Sequence, residues 1–120
     1  MTKKEATKKI TALRQALFNV IVFQSDMQVR QQLKGVPDYL IINQTYIIWL
    51  ELKLKSTKDK LRKEQIEFLT AMRNNMKENT GRNFVGIVNE DNIDKIINAI
   101  LINDYKHLFY LCNESLIKNL

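Results

Sequence analysis

The spacing of apolar residues changes period several times along the chain, and each change marks an element. Ile10, Leu13 and Leu17 recur at helical spacing, which predicts a helix over residues 4–17. "FNVIVFQ", residues 18–24, is dense in β-branched and aromatic side chains and reads as a strand, followed by a polar loop over 25–35. Residues 36–42 and 46–55 read as two strands of a hairpin around "NQT". A helix is predicted from about residue 60 to 79, with Gly81 as its stop signal. "NFVGIV", residues 83–88, is a short apolar strand. Asn89 or Asp91 is placed to cap a helix reaching about Asn103. Asp104 is placed to cap a last helix carrying Tyr105, Leu108, Phe109, Cys112 and Leu116 along one stripe. The order predicts an α/β fold, one mixed central sheet flanked by helices.

The second hairpin strand carries an unusual pattern. Ile48, Leu50, Leu52 and Leu54 share one face and form a wholly apolar row. Ile47 and Trp49 begin the other face, which then turns ionic at Glu51, Lys53 and Lys55. Glu51 and Lys53 are therefore expected where a covered sheet opens to solvent, on one side and about 7 Å apart at Cα. If Ile42 pairs with Ile47, the same register sets Asp38 opposite Glu51, with 43–46 as the loop, or 44–45 if the ladder runs further.

Two opposed carboxylates repel unless a cation lies between them. Completed by water and a phosphate oxygen, they make a hard, all-oxygen site suited to Mg²⁺ or Mn²⁺. Lys53 would add positive charge for a water nucleophile and for charge building on phosphate. A cross-strand salt bridge among Asp38, Glu51 and Lys53 on a solvated face would give the same pattern. On the helix over 60–79 the apolar stripe is Leu61, Phe68, Leu69, Met72 and Met76, and Gln65 falls on it. A buried amide needs partners, supplied either by the carboxylate site or by backbone at the core margin.

Charge is distributed unevenly. Residues 1–64 carry 13 Lys or Arg against 6 Asp or Glu, and residues 65–120 carry 6 against 7. A basic half suits a polyanion such as nucleic acid, although a solvated lysine-rich surface has the same composition. Lys3, Lys4, Lys8 and Lys9 contribute to it. Lys34 and the run Lys55, Lys58, Lys60, Arg62 and Lys63 are the candidate DNA contacts. The chain's 120 residues suggest one domain over 1–120. The longest apolar stretches are too short to cross a bilayer, and no apolar run of a signal peptide follows the basic start. The single Cys112 and single His107 exclude an internal disulfide and an ordinary zinc site. A reducing cytoplasm is expected.

Taken together, "GVPDYLII", "WLELKLK" and "KLRKEQIEFL" resemble the PD-(D/E)XK nucleases, and within them the virus-type replication-repair nuclease (VRR-NUC) domain. The resemblance covers roughly residues 5–90 and leaves a helical extension over about 91–120 unplaced. It implies a restriction-endonuclease-like core and Mg²⁺-dependent hydrolysis of DNA, with Asp38 and Glu51 as metal ligands and Lys53 as the catalytic lysine. It further implies that the Leu52 backbone carbonyl faces the metal, that Gln65 is the motif glutamine and that Glu5 is the acid of the first helix. Arg62 stands where the family often has a Ser or Thr cap, so the helix start departs from the pattern.

The expected function is a metal-dependent endonuclease selective for branched or Holliday-junction DNA. A general nicking endonuclease, a non-catalytic nucleic-acid-binding protein of the same fold and a basic interaction domain are the alternatives. A homodimer is expected through the last helix, because Phe109, Tyr110 and Leu111 spread apolar surface beyond its stripe.

Overall fold

In the computed structural model, which describes residues 1–17, 19–26, 32–76 and 82–120, four strands form one mixed sheet in the order β1-β2-β3-β4. They are β1 (Ile21–Gln24), β2 (Tyr39–Ile42), β3 (Ile47–Leu52) and β4 (Asn83–Val88). The first three pair antiparallel and β4 joins β3 in parallel. Helices among the described residues include α1 (Lys3–Thr11), α2 (Leu13–Ala16), α3 (Lys63–Asn75), α4 (Ile93–Leu101) and α5 (Tyr105–Asn119). Among the described residues no helix is long and apolar enough to cross a membrane. The expected α/β architecture, a mixed sheet flanked by helices, is what the chain adopts.

Several boundaries differ from the sequence reading. The single helix over 4–17 is broken at Ala12, because the Thr11 hydroxyl turns back onto the Thr7 and Lys8 carbonyls. The first strand begins only at Ile21, since Asn19 takes a positive φ of 57° that no strand accommodates. β2 begins at Tyr39, because the segment before it is bonded to Ser25 and lies outside the ladder with β3. β3 stops at Leu52, after which the chain turns, with the Lys58 amide on the Lys55 carbonyl and Lys58 at φ 54°. The helix over 60–79 is shorter, Lys63–Asn75, and Gly81 lies outside the described residues.

The register builds the two faces of the sheet. Ile41, Ile48 and Leu50 share the inner face with Phe84 and Val88, and all are buried. Helix α1 seals it with Ala6 and Ile10, and Tyr46 bonds through its hydroxyl to the Ile100 carbonyl of α4. On the last helix Asp104 caps as expected, its carboxylate accepting the His107 amide.

The stripe of the last helix packs against the chain's own sheet, while Tyr110, beyond the stripe, is 60% exposed. Leu108, Cys112 and Leu116 are buried, and a Cβ on Gly86 of β4 would lie 3.1 Å from the Cys112 sulfur. Burial pushes that thiol up to about 12, so it is unreactive at neutral pH. Ser115 closes the outer edge of β4 by accepting the Ile87 amide at 2.9 Å.

The opposite sheet face is covered over β3 and β4 by α3, where Trp49 meets Phe68 edge-on at 5.8 Å. It is open over β1, with Ile21 61% and Phe23 43% exposed. Along β3 this reverses the expected gradient: Ile47 at the apolar end is 38% exposed, and Glu51 at the ionic end is 1% exposed. Helix α3 crosses the ionic end, which period-2 alternation along one strand does not disclose.

Candidate active site

Asp38 stands one residue before β2. The ladder pairs Ile42 with Ile47 and runs to Tyr39 with Leu50, so Asp38 faces Glu51 in the expected register. Pro37 has no amide to give to a ladder. Ser25 fixes the segment instead: its hydroxyl donates to the Pro37 carbonyl at 2.6 Å and its amide to the Asp38 carbonyl at 2.8 Å. The Asp38 carboxylate then accepts the Leu52 amide of β3 at 2.8 Å. One acid is thus tied by backbone to β1 and by side chain to β3.

Glu51 is buried, and a buried carboxylate is costly unless its charge is met. Gln65 donates from Nε2 to Glu51 Oε1 at 3.1 Å, and the Lys53 ammonium stands 3.8 Å from the same oxygen. The expectation that Glu51 sits at a solvent boundary is corrected. Lys53 does remain at the boundary, its side chain 17% exposed, with its amide still on the Val88 carbonyl of β4.

Gln65 does two things at once. It lies at the third position of α3, and its Oε1 accepts the Arg62 amide at 2.9 Å. That is one half of a capping box, so the helix starts without a hydroxyl at Arg62. The other end of the same amide holds Glu51. The N-terminal turn of α3 is therefore locked onto the carboxylate site, with its dipole favouring the negative charge there.

These groups open on a cleft of about 300 Å³. Asp38, Glu51, Leu52 and Lys53 form its floor with Gln65, and Lys3, Asp59, Lys60 and Arg62 stand around them. A second hollow of about 160 Å³ adjoins it, sharing Lys3, Asp38 and Leu52 and adding Thr7, Gln24 and Tyr39. The Thr7 and Tyr39 hydroxyls are hydrogen-bonded there.

Glu5 does not join the group. It is exposed and closes the capping box of α1, accepting from the Thr2 amide at 3.3 Å and the Thr2 hydroxyl at 3.1 Å. Helical geometry gives the reason: Lys3 and Thr7, four residues apart, share the face turned to the sheet, and position 5 points away from it. The basic candidates divide as well. Lys60 and Arg62 line the cleft. Lys34 and Lys58 are exposed. Lys55 is paired with Asp91, Lys63 lies 4.0 Å from Glu67 and Lys9 2.8 Å from Asp94, so part of the basic half is neutralised locally.

Sequence reasoning named Lys3 only as one of the basic residues along a DNA path, without placing it at the cleft, and missed Ser25, Asp59 and Glu90. The i, i+4 step from Thr7 would have marked Lys3 once Tyr39 was known to pack on α1; the other three carry no local signal. Glu90 accepts the Lys55 amide at 2.7 Å and the Ser56 amide at 3.0 Å, clamping the segment that follows Lys53. Those two backbone bonds, Ser56 first, pull its carboxyl down to about 2. A group depressed in the folded state stabilises above its unfolded value and loses that contribution as pH falls through the folded one. The clamp is therefore expected to hold at neutral pH and to release between pH 4.5 and about 2. In hydrogen exchange, Glu90→Ala should expose the Lys55 and Ser56 amides at neutral pH, with the difference from the parent vanishing at the acid end; equal protection at pH 7 would contradict the clamp.

Among the described residues, no three His, Cys, Asp or Glu side chains converge as a metal cage. Asp38 and Glu51 bring carboxylate oxygens to the cleft floor, an oxygen set whose hardness fits Mg²⁺ or Mn²⁺ better than a soft metal. Comparison with protein-family models, with curated proteins and with solved structures yields no match for the chain.

Proposed function

We propose that the chain is a divalent-metal-dependent nuclease of the PD-(D/E)XK type, similar to VRR-NUC domains, that hydrolyses phosphodiester bonds in DNA. The observation that carries the reading is convergence: the segment before β2, the end of β3 and the first turn of α3 deliver Asp38, Glu51, Lys53 and Gln65 to one open cleft. A fold built for stability alone has no use for a buried glutamate opposite an aspartate. The antiparallel β1–β2–β3 run, followed by α3 and a parallel β4, supports a restriction-endonuclease-like core within the same proposal.

A bound Mg²⁺ would polarise a phosphodiester oxygen and lower the pKa of a water. The chain's own residues do the rest. Asp38 and Glu51 hold their oxygens in fixed positions, one through the Leu52 amide and the other through Gln65. Lys53 orients the attacking water and offsets charge on the phosphate oxygens. Water adds to phosphorus, one P–O bond to a sugar oxygen breaks, and the proton passes to that oxygen.

Mg²⁺-dependent nicking of supercoiled plasmid, run beside synthetic junctions, tests the activity and its preference for branched substrates together. No cleavage of either DNA with Mg²⁺ or Mn²⁺ would refute the nuclease reading. Lys53 should act on the transition state more than on binding. Lys53→Ala is expected to slow single-turnover cleavage by about 10²–10⁴-fold with DNA affinity nearly unchanged. Lys53→Arg should not restore the rate, because a planar fork does not replace a compact ammonium. Normal chemistry with lost affinity would make Lys53 a phosphate clamp instead.

A further inference from the structure

We infer that Lys3 is a DNA-phosphate contact of the cleft and that Asp59 is its resident substitute anion, holding the same subsite when DNA is absent; this rests on the nuclease reading above. Lys3 is the first residue of α1, Asp59 belongs to the segment between β3 and α3, and both line the cleft. Their charged groups meet at 2.8 Å. The Ser56 hydroxyl also donates to the Met1 carbonyl, so the same two segments are joined at a second point.

The pair is placed where a polynucleotide backbone would run. Lys3 lines both hollows, on the wall they share with Asp38. Lys60 and Arg62 continue positive charge along the rim of the larger one. Asp59 is the acid standing among these cations. The hydrogen bond from Lys3, with the charge of Lys53 adding to it, holds its carboxyl below the usual range. A carboxylate and a phosphodiester each offer one negative charge on acceptor oxygens, so a site that suits the first suits the second.

The contact is also one that can be exchanged. The Lys3 side chain is 60% exposed and that of Asp59 32%, so their attraction is screened by water and salt. An incoming phosphate replaces Asp59 on Lys3, and Asp59 is left facing the DNA backbone with like charge. Asp59 thereby weakens binding of any DNA whose phosphate takes this subsite.

Four proteins decide it: the parent, Lys3→Ala, Asp59→Asn and the double variant. Each is titrated with a labelled duplex by fluorescence anisotropy in EDTA, so that binding is read without cleavage, over a range of salt. Lys3→Ala should weaken binding about threefold to tenfold at about 50 mM salt and shallow the salt slope by about 0.9. Lys3→Arg should keep most of the affinity. Asp59→Asn should tighten binding about threefold, the scale of one screened charge contact, and most of that gain should disappear when Lys3 is also alanine.

An equal gain with and without Lys3, no gain at all, or parent-like binding by Lys3→Ala overturns the inference while leaving the nuclease reading standing. A parent chain that binds no DNA overturns both. Both side chains are exposed, so the variants should melt close to the parent. A large common fall in melting temperature with unchanged DNA affinity would make the ion pair a structural tie only.

Discussion

Glu51→Gln and Asp38→Asn are each expected to abolish Mg²⁺-dependent cleavage, by at least about 10³-fold, since several kcal/mol of transition-state stabilisation depend on the cation. The amide variants isolate charge from structure. The remaining carbonyl oxygen of Gln at position 51 can still accept from Gln65, and that of Asn at position 38 can still accept the Leu52 amide. Removing one of two opposed carboxylates also removes repulsion, so both variants should melt at or above the parent temperature without metal. Glu51→Ala is a different experiment. It strips Gln65 of its acceptor and opens a void, a loss of about 1–3 kcal/mol from the orphaned amide alone.

The same proteins give a second reading independent of activity. Saturating Mg²⁺ stabilises a chain that binds it by about 2.7 kcal/mol at a hundred times Kd. The parent melting temperature should therefore rise with Mg²⁺ and that of either amide variant should not. Parent-rate cleavage by either variant would show that the carboxylate pair is not the metal site.

The two acids were legible because register is a property of the pattern. Apolar alternation on β2 and β3 fixes which rows are buried, and the assumed pairing of Ile42 with Ile47, which the ladder adopts, carries Asp38 to Glu51. Gln65 was legible for a similar reason, since a polar residue on the apolar stripe of a helix must find a partner inside. β4 matched residue for residue, an uninterrupted apolar run with no competing reading.

What stayed hidden depends on how elements dock. The burial of Glu51 follows from the path of α3 across the end of β3, and nothing along β3 encodes that path. The replacement of Glu5 by Lys3 follows from the rotation of α1 on the sheet, set by Ala6, Ile10 and the Thr7–Tyr39 contact. The stripe of α5 finds its cover inside the chain: Gly86, by letting the helix close on β4, makes room for Cys112. Ser25 and Glu90 work through backbone groups far along the chain, and such pairings leave no periodic trace.

Gly35→Ala is expected to be the most damaging single substitution outside the carboxylates, and its cause is geometric. Gly35 has φ 82°, a conformation in which an L side chain is strained by about 1–2 kcal/mol. Space is the larger obstacle. A Cβ at this position would lie 2.1 Å from the Glu64 carbonyl oxygen and 3.0 Å from the Gln65 amide nitrogen, both backbone atoms of the first turn of α3. No rotamer change relieves such a clash, so either the loop before Asp38 or the start of α3 must move. Both strain and displacement act together, and a loss above about 3 kcal/mol is expected in urea unfolding.

The movement has a signature at the site. Separating the loop from α3 pulls Asp38 away from the Leu52 amide and Gln65 away from Glu51, so protection of the Leu52 and Arg62 amides in hydrogen exchange should fall together. Gly86→Ala is the control: its nearest contact would be the Cys112 sulfur at 3.1 Å, a side-chain atom, with no strained φ. It should cost less and leave those two amides protected. A Gly35→Ala protein within about 0.5 kcal/mol of the parent, with the Leu52 amide still protected, would mean that the loop is not pressed onto α3 and that the glycine before Pro37 serves no steric purpose.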